Sequence, residues 1–447
     1  MKAKKKPVQS APRTIALSFL VLILVGTLLL MLPFASADGK SAPFLDALFT
    51  GASATCVTGL VVRDTFQSWS LFGQIVILFL IQIGGLGFMT VIILFSLAFG
   101  NRLGLARRQL LLRSVGAMDF AGMRPLLKRV ILGTLLFEGS GAVLLAIRFV
   151  PLFGWGRGVY FSIFHAVSAF CNAGFDLMGG QGAFSSMTAF TGDPLVILTL
   201  TSLILIGGAG FVVWRDVWEH GFHVTRYSLH SRMVFMSLIF LTAIPTALFL
   251  ISERNGLLAD MPFGKSLLAA LFLAVSPRTA GFNSVALDKL SGGGFLLECL
   301  LMFVGGNPGS TAGGVKTTTI LVLILGVAAT LRKRKSITAG RRSLEGDSLS
   351  TASSIVALYL SAVLSSVFLL SLLEKAPLGE LFFHVISAAA TVGLSVGEIS
   401  GYTILSKIIL ILLMYFGRIG GLSLALAFAD AREIPAAERP VEKIMIG

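Results

Sequence analysis

Four glycines, Gly59, Gly174, Gly281 and Gly393, end the same short pattern. The segments read DALFTGASATCVTGL, FSIFHAVSAFCNAGF, LLAALFLAVSPRTAGF and LFFHVISAAATVGL: an amphipathic run ending in small residues, then the glycine, then Leu or Phe. The intervals are 115, 107 and 112 residues in a chain of 447, so the period is close to one quarter of its length. Ser53, Ser168 and Ser387 stand six residues before their glycines, and the position five before is Ala54, Ala169, Ser276 or Ala388. A fixed period of this kind governs how the rest of a sequence is read. The chemistry it points to belongs to the main chain. Glycine most readily reaches the backbone angles that line up successive carbonyls, and rings of carbonyl oxygens can replace an ion's hydration shell. The oxygen-bearing segments are Cys56, Val57, Thr58, Gly59; Cys171, Asn172, Ala173, Gly174; Arg278, Thr279, Ala280, Gly281; and Ala390, Thr391, Val392, Gly393. No Asp or Glu lies between the small residues and the glycines; Asp176 falls two beyond Gly174 and Arg278 three before Gly281. A divalent-cation site would need such carboxylates, so the expected ligand is a monovalent cation, potassium at the filter carbonyls. Close helix packing through small residues is the competing reading of any one glycine; a near-constant fourfold period argues against it.

The elements that must hold these turns follow from composition. Hydrophobic residues make up 55% of the chain and charged residues 13%, about half the charged share of a soluble protein. Stretches without any charge run Ile15–Ala37, Thr65–Asn101, Pro194–Trp214, Met233–Ser252 and Ser348–Leu373, each near or above the ~20 residues that cross a bilayer as a helix. Each glycine follows a long apolar span and then a run too short to cross, and precedes another long span. The expected fold is therefore an all-α membrane protein of four pseudo-symmetric helix, pore half-helix, filter-loop, helix repeats around a central pore. Its eight spanning helices would lie at about 14–34, 71–99, 130–150, 194–214, 231–252, 295–330 with a break, 351–373 and 404–429. The half-helices would aim their negative ends at the centre, which favours a cation. The expected organisation is a cytoplasmic tail 1–13, repeats at 14–105, 106–222, 223–345 and 346–430, and a second tail 431–447.

Charge sets the orientation. Of 36 Lys and Arg, 24 lie in the N-terminal tail, 101–129, 215–232, 331–347 and 430–447, against nine in the segments carrying the glycine turns. Basic residues mark cytoplasmic loops, so both termini are expected inside a plasma membrane, with the half-helices entering from outside. The opening lysines, apolar run and Ala35-Ser36-Ala37 imitate a secretory signal, but the run from Thr14 to Phe34 is longer than a signal core and supplies the first repeat's helix.

A second glycine set follows each turn by 24 to 33 residues: IGGLGF (Ile83 to Phe88), IGGAGF (Ile206 to Phe211), VGGNPG (Val304 to Gly309) and IGGL (Ile419 to Leu422). Paired glycines weaken a helix and permit bending or close approach; in the first two copies packing alone remains the favoured reading. The third extends through Gly305, Gly306, Gly309, Ser310, Thr311, Gly313 and Gly314 to Lys316 and cannot stay helical. A break below a filter suggests an intramembrane gating loop, 305–314, with Ser310 and Thr311 facing the ion path and Lys316 snorkelling or repelling cations. Arg418 sits among apolar residues, where a charge is costly and functional by default; the favoured reading is a projection into the pore to the loop's carbonyls or hydroxyls, the rival a snorkelling side chain. Glu138 reads as structural.

Other classes fit poorly. Three cysteines and five scattered histidines form neither a disulfide framework nor a metal pattern, no catalytic dyad or phosphate loop is present, and the basic residues are dispersed between spans rather than arranged for nucleic acid. No covalently bound cofactor is expected. A sodium-coupled secondary carrier with broken helices is the serious alternative; four parallel repeats argue for a pore instead.

At these residues the chain resembles the Trk/Ktr/HKT superfamily of potassium transporters, and within it the Ktr-type membrane subunits. The resemblance spans Pro33 to Ala429 and rests on TCVTGL, CNAGF, PRTAGFN and TVGLS, the loop GGNPGSTAGG with Lys316, and FGRIGG. A start directly at the first repeat, without further leading spans, favours the Ktr type over the longer Trk subunits. The resemblance implies potassium uptake, often sodium-dependent, with sodium as an activator. It implies homodimers in the lipid bilayer, each subunit with its own pore, on a cytoplasmic ring of nucleotide-binding regulatory proteins. A serine in place of the first filter glycine tends to accompany sodium permeability in such proteins, so Gly59 resembles the potassium type. The basic loop Arg332, Lys333, Arg334 and Lys335 would chiefly set topology, with the ring or anionic lipid as its other contacts. Asn307-Pro308 departs from the small residues expected in the loop.

Overall fold

The computed structural model describes residues 11–87, 123–221, 223–334, 336–339 and 342–428. Both tails and most of the basic segment 101–129 lie outside the described residues. Helix α1 (Ala11–Leu30) leads to a short helix α2 (Phe44–Cys56), a single turn α3 (Thr65–Ser68) and α4 (Leu71–Leu86). Next come α5 (Met123–Phe153), α6 (Trp155–Phe170), α7 (Pro194–Ala209) and α8 (Phe211–His220). They are followed by α9 (Leu229–Ser252), α10 (Phe263–Val275), α11 (Gly292–Phe303) and α12 (Thr317–Leu331). A two-stranded hairpin, β1 (Thr338–Ala339) and β2 (Arg342–Ser343), pairs Thr338 with Ser343 and Ala339 with Arg342. The chain then forms α13 (Ser348–Leu373), α14 (Leu378–Ala389), α15 (Ile404–Ile419) and α16 (Gly421–Phe428).

Local chemistry sets these boundaries. Pro43, Pro262 and Pro377 stand immediately before α2, α10 and α14; a proline there gives up only a donor the first turn would leave unpaired. The helices after the glycine turns start on side-chain caps. Ser70 accepts from Gly73 N, Asp193 from Leu195 N and Val196 N, Ser291 from Gly294 N, and Thr403 from Ser406 N. Such caps contribute on the order of 1 kcal/mol each.

Among the described residues four helices are long and apolar enough to cross a membrane, in α1, α5, α9 and α13, or five if the bent pair α7 and α8 counts as one crossing. Their outward faces expose Leu28, Leu135, Ile239 and Phe368, an apolar surface that water does not tolerate and a bilayer does. This is the surface of a multi-pass membrane protein. The expected uninterrupted spans 71–99, 194–214 and 404–429 differ from the helices found, which stop at Leu86, Ala209 and Ile419. The cause is the glycine after each: Gly87, Gly210 and Gly420 have φ of +80°, +98° and +89°, in the range that ends helices. At Gly210 the chain turns by 94° into α8.

The helices pack in a closed order. Each long helix lies against the short one that follows, α1 on α2, α5 on α6, α9 on α10 and α13 on α14. The helix after each turn also packs on the next short helix along the chain: α4 on α6, α7 on α10, α11 on α14, and α15 back on α2. Two buried apolar clusters fill the space behind, one around Phe149, Phe164 and Phe170, the other around Phe249, Phe383 and Met414.

Candidate functional site

The carboxyl ends of α2, α6, α10 and α14 deliver the four glycine segments to one place. A Cβ built on Gly59 would lie 2.5 Å from the Ala173 carbonyl oxygen, one on Gly174 2.9 Å from that of Ala280, and one on Gly281 2.5 Å from that of Val392. One on Gly393 would overlap the Thr58 carbonyl oxygen. Each glycine therefore faces the carbonyl one residue before the next glycine, and the fourth faces the first. Their φ values, +94°, +71°, +74° and +95°, exclude side chains on conformational grounds as well.

A second backbone feature recurs two residues earlier. Val57, Asn172, Thr279 and Thr391 have φ of 56°, 59°, 68° and 54°. Left-handed turns at non-glycine residues cost about 1–3 kcal/mol each and persist only where the surroundings impose them. Those surroundings are identifiable. Ser53 Oγ accepts from Gly59 N at 3.0 Å and Ser387 Oγ from Gly393 N at 3.1 Å. Ser168 Oγ donates to Phe175 O at 2.7 Å and Ser276 Oγ to Phe282 O at 2.5 Å. The small residues of the sequence pattern thus include a hydroxyl that grips each segment from behind. No described residue donates a hydrogen bond to the carbonyls of Val57, Thr58 and Gly59, or of Thr279, Ala280, Gly281, Thr391, Val392 and Gly393. A run of buried carbonyls without protein partners calls for another partner.

The second glycine set lies beneath. A Cβ on Gly84 would overlap Thr55 O, one on Gly207 Phe170 O, and one on Gly417 Ala389 O. These three carbonyls are each four residues before the segment's glycine, so close approach of helix to helix is what these positions require. The fourth copy was expected at Ile419 to Leu422. The contacts align it three residues earlier, at Gly417-Arg418-Ile419-Gly420, which puts Arg418 where Gly85 and Gly208 stand. The sequence string misled because Ile-Gly-Gly recurs by coincidence just past the helix end.

Arg418 reaches across the molecule. Its guanidinium donates to Thr311 O and Gly84 O, and to Gly85 O at 3.2 Å. It thus joins α15 to α4 and to the loop between α11 and α12. Among the described residues neither Arg418 nor Lys316 forms an ion pair. Lys316 Nζ instead donates to Ala312 O at 2.6 Å and Gly313 O at 3.3 Å, capping its own loop. That loop has a closed neck, Gly305 N to Val315 O at 2.9 Å and Thr317 N to Gly306 O at 3.1 Å. Cβ atoms on Gly305, Gly306 and Gly313 would each meet neighbouring atoms of the loop or Thr391, and Gly309 and Gly314 have φ of +68° and +67°.

Two loop residues sit differently from expectation. Thr311 is fully buried and donates to Phe170 O at 3.2 Å, and Ser310 donates back to Asn307 O at 2.7 Å, so both hydroxyls are engaged by protein. Asn307, noted in the sequence only as out of pattern, is the loop's anchor. It is fully buried; Nδ2 donates to Gly208 O at 2.8 Å, and Oδ1 accepts from Ser237 at 3.4 Å and from Thr317. Elsewhere Arg278 is buried with Nε and Nη1 unpartnered among the described residues, and Glu138 accepts from Gln82 Nε2 at 3.3 Å.

Comparison with known proteins gives the family and the fold. The chain is 37% identical to the "Potassium/sodium uptake protein NtpJ" of Enterococcus hirae over 454 aligned positions, covering 100% of this chain and 99% of that one. It is 38% identical to the "Ktr system potassium uptake protein B" of Bacillus subtilis, covering 94% of each. The crystal structure of the potassium transporter TrkH from Vibrio parahaemolyticus superimposes with a TM-score of 0.75 at 21% identity, over 96% of this chain and 86% of that one; it shares the fold. The profile of the TrkH family, "Cation transport protein", matches residues 2–231 and 229–436. With nearly its whole length matched, this chain belongs to the TrkH family of cation transport proteins, which are transporters and not enzymes.

Proposed function

We propose that this chain carries potassium across the plasma membrane through a pore whose selective part is the ring formed at Gly59, Gly174, Gly281 and Gly393. The observation that carries the reading is the cyclic facing of each glycine toward the next segment's carbonyl. Four such segments offer main-chain oxygens to a cation that has shed its water, and the absence of carboxylates in them suits a monovalent ion. The name of one relative gives potassium and that of the other potassium and sodium, all monovalent ions.

In this reading four pseudo-symmetric repeats surround the pore and eight helices cross the bilayer, four of them interrupted by glycine on the inner side. Both termini are cytoplasmic, as the basic residues suggest. Cations enter from outside, pass the ring, and meet a barrier made by the loop 305–314 with Lys316 and by Arg418. A guanidinium bound to carbonyls of two elements both narrows the path and opposes a cation. Sodium acts as an activator, two subunits assemble in the membrane, and a separate nucleotide-binding ring acts on the loop from the cytoplasm.

The test is rubidium uptake into potassium-requiring cells expressing the chain, with and without sodium, paired with flux into liposomes holding the purified protein. Uptake that exceeds sodium flux supports the reading. Cells that gain no rubidium, with liposomes equally silent, would end it.

A further inference from the structure

His165 and His384 stand nine residues before Gly174 and Gly393, at matching places in their segments, and both are fully buried. Each receives a main-chain N–H from three residues beyond its glycine: Leu177 N donates to His165 Nε2 at 3.2 Å, and Val396 N to His384 Nε2 at 3.3 Å. A backbone N–H only donates, so Nε2 must be the bare nitrogen in both rings. The other nitrogens are held too. His165 Nδ1 faces Phe161 O at 2.7 Å, which only accepts, and His384 Nδ1 faces the Tyr402 hydroxyl at 2.8 Å. The matching places in the first and third segments hold Thr50 and Phe272; Thr50 Oγ1 has no partner among the described residues.

The glycine ring runs first to second to third to fourth and back, so the second and fourth segments are opposite one another. Serine hydroxyls hold the N–H of the glycine or the carbonyl of the residue after it; the two imidazoles hold the chain three residues beyond the glycine, and only on that one diagonal. We propose that His165 and His384 are positioning residues that set the ring's width along this diagonal and thereby its discrimination between potassium and sodium. Each acts through a neutral acceptor nitrogen on the main chain, and neither touches the ion. A ring built from main-chain oxygens has no side-chain geometry of its own, so its dimensions are set by whatever anchors the chain behind it. The inference rests on the filter reading above.

The experiment measures potassium and sodium flux into liposomes for the full chain and for His165→Phe, His384→Phe, His165→Gln, His384→Gln and Tyr402→Phe. Gln carries an acceptor oxygen close to the place of Nε2; Phe fills the volume without one. The expected result is that each Phe variant lowers the potassium-to-sodium flux ratio several-fold while total cation flux persists, and that each Gln variant restores most of the ratio. Tyr402→Phe, which leaves the imidazole in place but frees its Nδ1, lowers the ratio in the same direction by less. A merely structural role would reduce both fluxes together. Selective wild-type protein with unchanged ratios in the Phe variants, or Gln variants no better than Phe, overturns the inference alone. Should the Phe variants fail to fold, an unchanged ratio in Tyr402→Phe together with unrestored Gln variants overturns it. A wild type with no preference for potassium brings down the filter reading, and this inference with it.

Discussion

Arg418 and Gly85 occupy the same place in their respective helices, one residue after the glycine that lies against a short-helix carbonyl, and the Arg418 guanidinium donates to the Gly85 carbonyl at 3.2 Å. A Cβ on Gly85 would meet Cys171 Sγ at 2.7 Å, so a side chain is tolerated at this place only in the fourth copy, and no ion pair among the described residues offsets the charge of Arg418. A cation ~8 Å from it meets about 2 kcal/mol of repulsion at an effective dielectric near 20, a ceiling of about thirty-fold in rate. With water in the path the expected effect of Arg418→Ala is a several-fold rise in potassium flux into liposomes. Reduced or unaltered flux would contradict a barrier role.

Gly59→Ser should weaken discrimination. The new Cβ starts 2.5 Å from the Ala173 carbonyl oxygen, and φ at this position is +94°; the neighbouring segment must move. The expected change is a fall of about tenfold in the potassium-to-sodium flux ratio, equivalent to about 1.4 kcal/mol. Parallel rubidium and sodium fluxes on one preparation decide it, and an unchanged ratio counts against the ring as the selective element.

How much of this could be read beforehand depended on what kind of constraint each residue meets. Gly59, Gly174, Gly281 and Gly393 were legible because an approaching carbonyl and a left-handed φ together tolerate nothing larger. The half-helices and their serines were legible for a similar reason, since small residues and a hydroxyl recur where the chain is gripped. Val57, Asn172, Thr279 and Thr391 were not, although they share one conformation. Three different side-chain types, Val, Asn and Thr, adopt it because the fold imposes it from both sides, which leaves no mark on residue type. The helix ends at Gly87, Gly210 and Gly420 were hidden by apolar residues that continue past the turn. Arg418 was recognised as unusual, but its register needed the contacts of Gly417. Asn307 registered only as an exception, because two of its three partners, Gly208 and Ser237, come from segments distant in the chain.

Asn307→Ala should loosen the loop. The substitution removes the side-chain bond to the Gly208 carbonyl and leaves the Thr317 hydroxyl without its acceptor, while Ser237 keeps Val234 O at 2.8 Å; leaving a buried polar group without a partner costs about 1–3 kcal/mol. A lower thermal midpoint in detergent is expected together with higher basal potassium flux. A variant that melts earlier yet conducts as the wild type would show that the anchor serves stability and not closure.

Asp176 should make transport sensitive to external pH. It lies two residues beyond Gly174, in the segment between α6 and α7 and outside the spanning helices. Burial, the largest influence, raises its pKa; the Met178 N–H at 2.9 Å lowers it, the Asp64 carboxylate raises it, and Ser186 lowers it, leaving it pushed up to about 7. The carboxylate is therefore ionised above about pH 7 and neutral below. In the proposed orientation Asp176 stands on the external side of the ring, where negative charge gathers cations, so rubidium uptake should fall as external pH drops through about 7. Stability should move the other way. Between 3.8 and about 7 the folded state holds a proton that the unfolded chain has released, so folding stability decreases as pH rises through that window and levels off above it. Asp176→Asn removes the titration and should give uptake that is low and flat with pH, near that of the acidified wild type. A variant that keeps the full pH dependence would assign the titration to another group.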